Sequence, residues 1–155
     1  MRLGRLCGLL MGATLLTVVS TVWAQTPVFT GEIAPGFDRC MTERGETTMG
    51  EVDCYSQAYD YWDAELNRQY KAAQSYCDSL KVTGSDVDKA VAQECRASLK
   101  ETQLRWIRYR DAMQTSNFFL VPDRNNQRGN IEHLRTMVYV VMTQAQLLTP
   151  PQQPQ

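Results

Sequence analysis

Apolar side chains recur at every third or fourth residue in three long stretches of the chain, over residues 55–80, 87–113 and 131–148. This spacing places the apolar groups on one side of an α-helix and leaves the polar groups on the other. The third stretch is the most regular of the three. The strict alternation that is typical of a half-buried strand is missing from all three stretches. The pattern therefore predicts three long helices and no sheet.

Residue types at the ends of these stretches indicate where the helices begin. Thr48 and Glu51 fit a capping box, in which the hydroxyl and the carboxylate each accept a hydrogen bond from a backbone N–H group. Ser85 or Asp86 is placed to cap the second long helix. Asn130 is placed to cap the third long helix in the same way.

Glycine, proline and polar residues interrupt the apolar pattern and predict the connections. A short helix over residues 37–44 is expected to end at Gly45. Gly84 marks a break between the first two long helices. Residues 115–130 contain proline, glycine and asparagine without a helical period, so we predict a long loop there. A pair of prolines after residue 149 ends the last helix.

The first residues have the pattern of a secretory signal peptide. Arg2 and Arg5 precede an uncharged and largely apolar run over residues 6–22. Small side chains at Val22 and Ala24 then form a cleavage site after Ala24. The alternative is a retained membrane anchor, for which an apolar run of about 17 residues lies at the short limit. We expect residues 1–24 to be removed on export, which predicts a periplasmic or secreted protein without stable membrane insertion.

Four cysteines remain after the expected cleavage, because Cys7 leaves with the signal peptide. An even number of cysteines in an exported chain predicts two disulfides, since the compartment is oxidising. No Cys-x-x-Cys pair supports a zinc site or a redox motif. Three connectivities are possible, and we favour the two local pairs, Cys40–Cys54 and Cys77–Cys95.

Two long helices joined by a short break are expected to pack antiparallel, with Trp62 level with Trp106 between them. The predicted fold class is all-α, a disulfide-stapled up-down helical bundle with two long antiparallel helices. We place this single domain at residues 37–149. A mobile lead-in over residues 25–36 precedes it, and a disordered tail over residues 150–155 follows it.

Charge is distributed unevenly. The chain has 16 lysines and arginines against 17 acids, and the loss of Arg2 and Arg5 leaves a net charge of −3. Residues 37–66 carry eight acids and two bases. This stretch is either an ordinary solvated helix face or a surface that attracts a cationic partner. The eight acids are Asp38, Glu43, Glu46, Glu51, Asp53, Asp60, Asp63 and Glu65.

Two segments carry a resemblance to a known family. Residues 54–71 read CYSQAYDYWDAELNRQYK and residues 99–112 read LKETQLRWIRYRDA. Together they resemble the LprI-like lysozyme-inhibitor family, small exported bacterial proteins with a C…C pair, a D-x-x-L-N-x-x-Y-K helix and a Q-x-x-W-I-x-x-R-D helix. The matching positions are Cys40, Cys54, Asp63, Leu66, Asn67, Tyr70, Lys71, Gln103, Trp106, Ile107, Arg110 and Asp111.

The resemblance covers residues 37–113 and implies inhibition of lysozyme. Two departures concern the segment that follows. Met113 stands where members of the family often place a further cysteine, and only Gly129 and Asn130 correspond to the Gly-Gly segment near its partner. The segment after Met113 is therefore expected to be built differently from that of typical members.

Ten residues are candidates for binding a protein partner. The acids would steer a cationic lysozyme, and Arg110 offers a planar fork for carboxylates. Aromatic and arginine side chains in the predicted loop are enriched at protein interfaces. The structural alternative is a polar network between helices together with a phenylalanine pair that covers the end of the bundle. The candidates are Asp60, Asp63, Glu65, Asn67, Arg110, Phe118, Phe119, Arg124, Asn125 and Arg128.

Catalysis has little support in the sequence. His133 is the only histidine, and the chain contains no phosphate-binding loop, nucleophile elbow or metal-spaced cluster. Scattered bases in an acidic chain also argue against a nucleic-acid partner. We therefore expect no catalytic residues, no cofactor and no metal.

The resemblance implies a periplasmic inhibitor, which we expect to block the glycan cleft of a lysozyme-type muramidase. The alternative is a structural or assembly component of the envelope that binds another bacterial protein, for which the apolar residues 137–142 would suit a docked helix. A third hypothesis, a hydrolase, would require a pocket and a carboxylate with a raised pKa.

Overall fold

The computed structural model describes residues 32–151, and no strand occurs within this range. The expected signal peptide, most of the expected lead-in and the last four residues lie outside it. The all-α fold class is confirmed. The helices are α1 (Phe37–Arg44), α2 (Thr48–Ser79), α3 (Asp86–Leu120) and α4 (Gln127–Leu147).

Each of the three long helices begins at a capping residue whose side chain accepts a hydrogen bond from a backbone N–H group. Ser85 caps α3 as expected, by accepting a hydrogen bond from the N–H of Asp88. The cap of α2 is Thr47 and not Thr48, because Thr47 has the extended backbone of a capping residue and its hydroxyl accepts from Gly50 at 3.0 Å. Asn126, and not Asn130, caps α4.

The long loop predicted over residues 115–130 is wrong. Helix α3 continues to Leu120, and the connection to α4 is only residues 121–126. Pro122 sets the end of α3, because the residue before a proline is driven out of the helical region and Val121 is extended. The last turns of α3 show no apolar periodicity, since their only buried residue is the polar Asn117. The apolar pattern therefore could not predict that the helix continues.

The core lies mainly between α2 and α4, which make the largest contact in the molecule. Val138 packs with Cys54 and Ala58, and Val141 packs with Leu66. Contact positions therefore advance in the same direction along both helices, so α2 and α4 run parallel. The prediction placed α2 and α3 as the main pair, and the densely apolar last helix takes that place instead.

Helix α3 runs opposite to both neighbours. Near its start, Cys95 is joined to the end of α2, and Gln103 accepts a hydrogen bond from Gln144 of α4. Near its end, Asn117 contacts His133 at 3.2 Å. The antiparallel arrangement of the two longest helices is therefore confirmed. Their tryptophans, Trp62 and Trp106, pack against one cluster, which consists of Leu66, Val141 and Ala145.

Both favoured disulfides are present. Cys40–Cys54 ties α1 to α2 with Cα atoms 5.8 Å apart, and Cys77–Cys95 ties the end of α2 to α3 with Cα atoms 5.5 Å apart. An ion pair between Asp78 and Arg96 lies beside the second disulfide. These links hold the part of the α2–α3 pair that extends past the end of α4.

Residues 32–36 lie against α2. The indole N–H of Trp62 donates to the carbonyl of Ile33 at 2.7 Å, and Ala34 is buried in the core. The backbone N–H of Phe37 then bonds to Ala34 as α1 begins. None of the helices within residues 32–151 has both the length and the apolar character needed to cross a bilayer.

Candidate functional site

The connection between α3 and α4 is a tightly built turn. Val121 is buried beneath it, and the backbone N–H of Asn126 donates to the carbonyl of Asp123 at 2.9 Å. A Cβ atom on Gly129 would lie 2.5 Å from the Asp123 carbonyl oxygen and 2.6 Å from the Arg124 Cα, so only glycine fits there. The first turn of α4 thus packs directly on the backbone of the connection and fixes its shape.

This turn and the helix ends beside it, residues 118–128, form what we call the tip. Apart from the buried Val121, the residues of the tip are exposed: Phe119 is 63% exposed and Leu120 is 78% exposed. Arg124 and Arg128 are also exposed, and neither forms an ion pair within the described residues. The tip therefore brings five of the ten candidate residues together on one surface, namely Phe118, Phe119, Arg124, Asn125 and Arg128.

The phenylalanine pair covers the bundle only in part. The rings of Phe118 and Phe119 meet edge to face with centroids 5.6 Å apart. Phe118 also lies edge-on to His133, with centroids 6.5 Å apart. Phe118 therefore spans the α3–α4 junction, whereas Phe119 is free to contact a partner.

The acidic candidates on α2 differ in how strongly other groups hold them. Glu65 is mostly buried and bonds to Arg68 and Gln69, and the hydrogen bond from Arg68 lowers its pKa. The side chain of Asp63 accepts a weak hydrogen bond from Asn67 at 3.4 Å. Asp60 is exposed and forms no ion pair within the described part of the chain. Asp60 is therefore the acid most available to a partner.

Arg110 is held within its own helix. Its guanidinium donates to the neighbouring Asp111 at 2.8 Å and lies 5.4 Å from the centroid of the Trp106 ring. No hydrogen bond joins it to Asp63 or Asn67, so the expected polar network between helices does not form among these residues. Arg110 does act on Tyr59 of α2. Burial raises the pKa of the Tyr59 phenol, and the charge of Arg110 opposes that rise.

The tip and the acidic stretch lie at the same end of the bundle. Tyr55, early in α2, packs near Glu132 and Arg135 of α4: burial raises the pKa of its phenol, the charge of Arg135 opposes that rise, and the charge of Glu132 adds to it. Residues 32–80 carry ten acids and four bases, whereas residues 81–151 carry seven acids and ten bases. This end therefore presents a negative surface from α1 and α2 beside two unpaired arginines of the tip.

A groove between α3 and α4 was not predicted from the sequence. It has a volume of about 330 Å³ and is open to solvent along one side. Aromatic, aliphatic, hydroxyl and amide side chains line it, and the lining contains no Asp, Glu, Lys, Arg or His. Trp106 and Tyr109 belong to the apolar stripe of α3, which the spacing assigned to the contact between helices and not to a groove. The residues that define the groove are Trp106, Tyr109, Tyr139, Val140, Thr143 and Gln144.

His133 occupies the joint between α3 and α4. Burial lowers its pKa, and the amide of Asn117 is its hydrogen-bond partner. Within residues 32–151 no group of three or more histidine, cysteine, aspartate or glutamate side chains is arranged to hold a metal ion.

The fold and this surface define a disulfide-linked helical domain with an exposed, rigid tip and a polarised charge distribution. Residues 40–145 match the family model described as "Lysozyme inhibitor LprI". The match covers more than half of the chain, so the protein belongs to the LprI lysozyme-inhibitor family, as its sequence motifs indicated. No curated protein and no solved structure matches the chain.

Proposed function

We propose that this protein inhibits a lysozyme-type muramidase by binding over its glycan cleft. The observation that carries the proposal is membership of the LprI family over residues 40–145. That family is named for inhibition and not for a reaction, which supports a binding role without catalysis. We further propose that residues 1–24 direct the chain out of the cytoplasm. The exported protein would then reach the compartment in which lysozymes act on the cell wall.

The tip is the part of the molecule that we assign to the cleft. Hydrolysis of a glycoside uses a pair of carboxyl groups that flank the scissile bond. Arg124 and Arg128 are exposed and unpaired, and guanidinium groups bind carboxylates in a fixed geometry. Phe119 and Leu120 supply apolar contact beside them. Inhibition would then be steric and electrostatic.

The rigidity of the tip supports this role. Ordering a loop on binding opposes association, and a loop that is already fixed avoids this cost. The close packing of Gly129 on Asp123 and Arg124, together with the cap at Asn126, fixes the backbone before a partner arrives. The short, fixed connection is therefore better suited to occupy the glycan cleft than the long loop that the sequence predicted.

The negative surface of α1 and α2 would act before contact is made. A cationic muramidase is drawn toward it, and such steering raises the association rate at low salt and weakens as salt is added. Asp60 is free to contribute, whereas Glu65 is already paired with Arg68. We therefore assign steering to Asp60 and to the exposed acids of α1.

The alternative role as an assembly component loses its main support. It places the partner on the predicted loop or on the last helix, whose residues 137–142 would present an apolar face open to docking. In the structure Met137, Val138, Val141 and Met142 are all buried in the protein's own core. The apolar character of that segment is therefore explained by packing within the chain.

The experiment is a cell-wall clearing assay in which the oxidised protein is titrated against c-, g- and i-type lysozymes. We expect stoichiometric inhibition of at least one class. Reversal of both tip arginines, in the double variant Arg124→Glu/Arg128→Glu, should weaken inhibition by at least about tenfold, because the new glutamates would place like negative charges against the catalytic carboxylates.

The matched control is Arg108→Glu, which is compared with the single tip variant Arg124→Glu because both change the net charge equally. Arg108 is an exposed arginine of α3 that lies outside the tip and has no ion-pair partner in the described chain. Its inhibition should stay close to that of the unaltered protein. An equal loss in both variants would show that net charge, and not the tip, governs binding. Absence of inhibition and of co-elution with every lysozyme class would refute the proposal for those classes.

A further inference from the structure

The groove between α3 and α4 combines apolar and polar side chains. Tyr109 is 54% exposed and Tyr139 is 37% exposed, and with Trp106 they offer broad apolar ring surfaces. Val140 and Leu147 add aliphatic surface, and Thr143 and Gln144 supply a hydroxyl and an amide. An occupant of this groove must therefore satisfy aromatic rings and polar groups together.

Gln144 is the most informative of these residues. It is only 7% exposed, yet it lines the groove. Its amide nitrogen donates to Gln103 at 3.1 Å, which fixes the side chain. Its carbonyl oxygen receives no hydrogen bond from the described residues and is therefore left to water. Covering this oxygen with a purely apolar group would be unfavourable, because a desolvated acceptor without a donor destabilises the complex.

These conditions select the chemical class of the ligand. The ligand needs a hydrogen-bond donor for Gln144, a flat face of C–H groups for the rings, and no net charge, since the lining contains no Asp, Glu, Lys, Arg or His. A pyranose ring meets all three conditions. Its axial C–H groups present an apolar face to an aromatic ring, and its hydroxyl or acetamido groups supply the donors.

We propose that the α3–α4 groove binds a neutral saccharide by stacking it on Tyr109 and Tyr139. The groove lies at least two helical turns from the tip, since Tyr139 follows the last tip residue, Arg128, by eleven positions on a straight helix. Saccharide binding is therefore separate from the proposed inhibition of a muramidase. The protein would hold a glycan on one side while the tip stays free.

The test uses the oxidised protein and two uncharged probes, chitotetraose and cellotetraose. Binding is followed by saturation-transfer NMR, and the affinity by the fluorescence of Trp106 in a Trp62→Phe background prepared without residues 1–24, so that Trp23 is also absent. We expect saturable binding of at least one probe with a dissociation constant on the order of 1 mM, as suits a small ligand in an open groove. Removal of one stacking ring, in Tyr109→Ser or Tyr139→Ser, should weaken binding by roughly fivefold.

The matched control is Tyr61→Ser, which removes a tyrosine of similar exposure (40%) from α2, outside the groove. This variant should bind the probe normally. Both groove variants should also keep full inhibition of lysozyme, whereas the double tip variant should keep full binding of the saccharide. This crossed design separates a failure of the groove from a failure of the tip.

Three results would overturn the proposal. The first is no transfer signal for either probe. The second is binding that Tyr61→Ser weakens as much as the groove variants do. The third is a concentration-dependent dimer that shields Tyr109 from solvent, which would show that a second copy occupies the groove. Circular dichroism of each variant confirms that the helices are intact before binding is compared.

Discussion

Helices α3 and α4 differ sharply in how the rest of the molecule covers them. Eight of the 21 residues of α4 are buried, among them Val138 and Val141, which are fully enclosed. Only two of the 35 residues of α3 are buried, Ala92 and Asn117. The longer helix therefore contributes little to the core, and the shorter one holds α2 and the domain together.

This difference separates stability from binding. Burial of apolar surface between α2 and α4 supplies the main driving force for folding. Helix α3 is held by a disulfide, by Trp106, and by two side-chain hydrogen bonds to α4. Its remaining surface is free, and it carries one wall of the groove and one side of the tip. Both proposed binding surfaces thus depend on the helix that folding uses least.

The largest expected effect comes from Leu66→Ala, which removes a buried side chain between α2 and α4. Leu66 is 3% exposed and packs on Val141 and Ala145. We expect a loss of about 2–5 kcal/mol in the free energy of unfolding, because the change removes apolar contacts and leaves a cavity. Urea unfolding of the oxidised protein measures it.

The control is Leu104→Ala on α3, where the same substitution acts on a side chain that is 44% exposed. Its cost should stay within about 0.5 kcal/mol. If the two variants were equally unstable, α3 would be as well buried as α4 in solution, and the contrast between the helices would fail.

The sequence predicted the helices better than it predicted their partners. The apolar spacing located α2 and α4, because their buried faces are formed by regularly spaced apolar side chains. It ended α3 too early, because the segment after Met113 is polar and its buried residue, Asn117, is satisfied by a hydrogen bond to His133. The main pairing was also missed, since a short connection favours neighbours in the chain, whereas the apolar density of α4 decides which helix packs most closely on α2.

The sequence indicated which residue types could bind a partner, but it did not indicate which of them lie close together. The five tip residues come together because Pro122 and Gly129 fold the connection into a compact turn, which no periodicity reveals. Asp63, Asn67 and Arg110 find partners on their own helices, so the expected network between helices is lost. The groove escaped detection because Tyr109 and Tyr139 meet only when two helices pack side by side.

Removal of the second disulfide tests whether that disulfide stabilises the part of α3 that does not contact α4. The variant Cys77→Ala/Cys95→Ala opens a link between positions 18 apart and should lower stability by about 3 kcal/mol. Hydrogen exchange should quicken most over residues 86–102, which lie beyond the contact of Gln103 with α4.

The comparison variant is Cys40→Ala/Cys54→Ala, which opens a link between positions 14 apart. Its entropic cost is similar, but Cys54 lies in the core beside Val138, so exchange should quicken in α1 and the start of α2 instead. Identical exchange patterns in the two variants would mean that α3 unfolds together with the core and has no separate stability.

The smallest expected effect concerns the joint between α3 and α4. Burial lowers the pKa of His133 in the folded protein below 6.5, so the unfolded chain takes up a proton more readily than the folded chain does. Stability should therefore fall as the pH drops through 6.5, and the fall should end once the pH is below the folded pKa. The slope cannot exceed about 1.4 kcal/mol per pH unit for one proton.

Comparison with His133→Gln isolates this contribution, because glutamine can bond to Asn117 but does not titrate. Between pH 7.5 and 5.5 the unaltered protein should lose more stability than the variant. Glu65 does not interfere, since its pKa is lowered from 4.5 and its stabilising ion pair is lost only at still lower pH. Parallel stability curves for the two proteins would show that His133 is as accessible to solvent as in an unfolded chain, and that the α3–α4 joint opens without disturbing the core between α2 and α4.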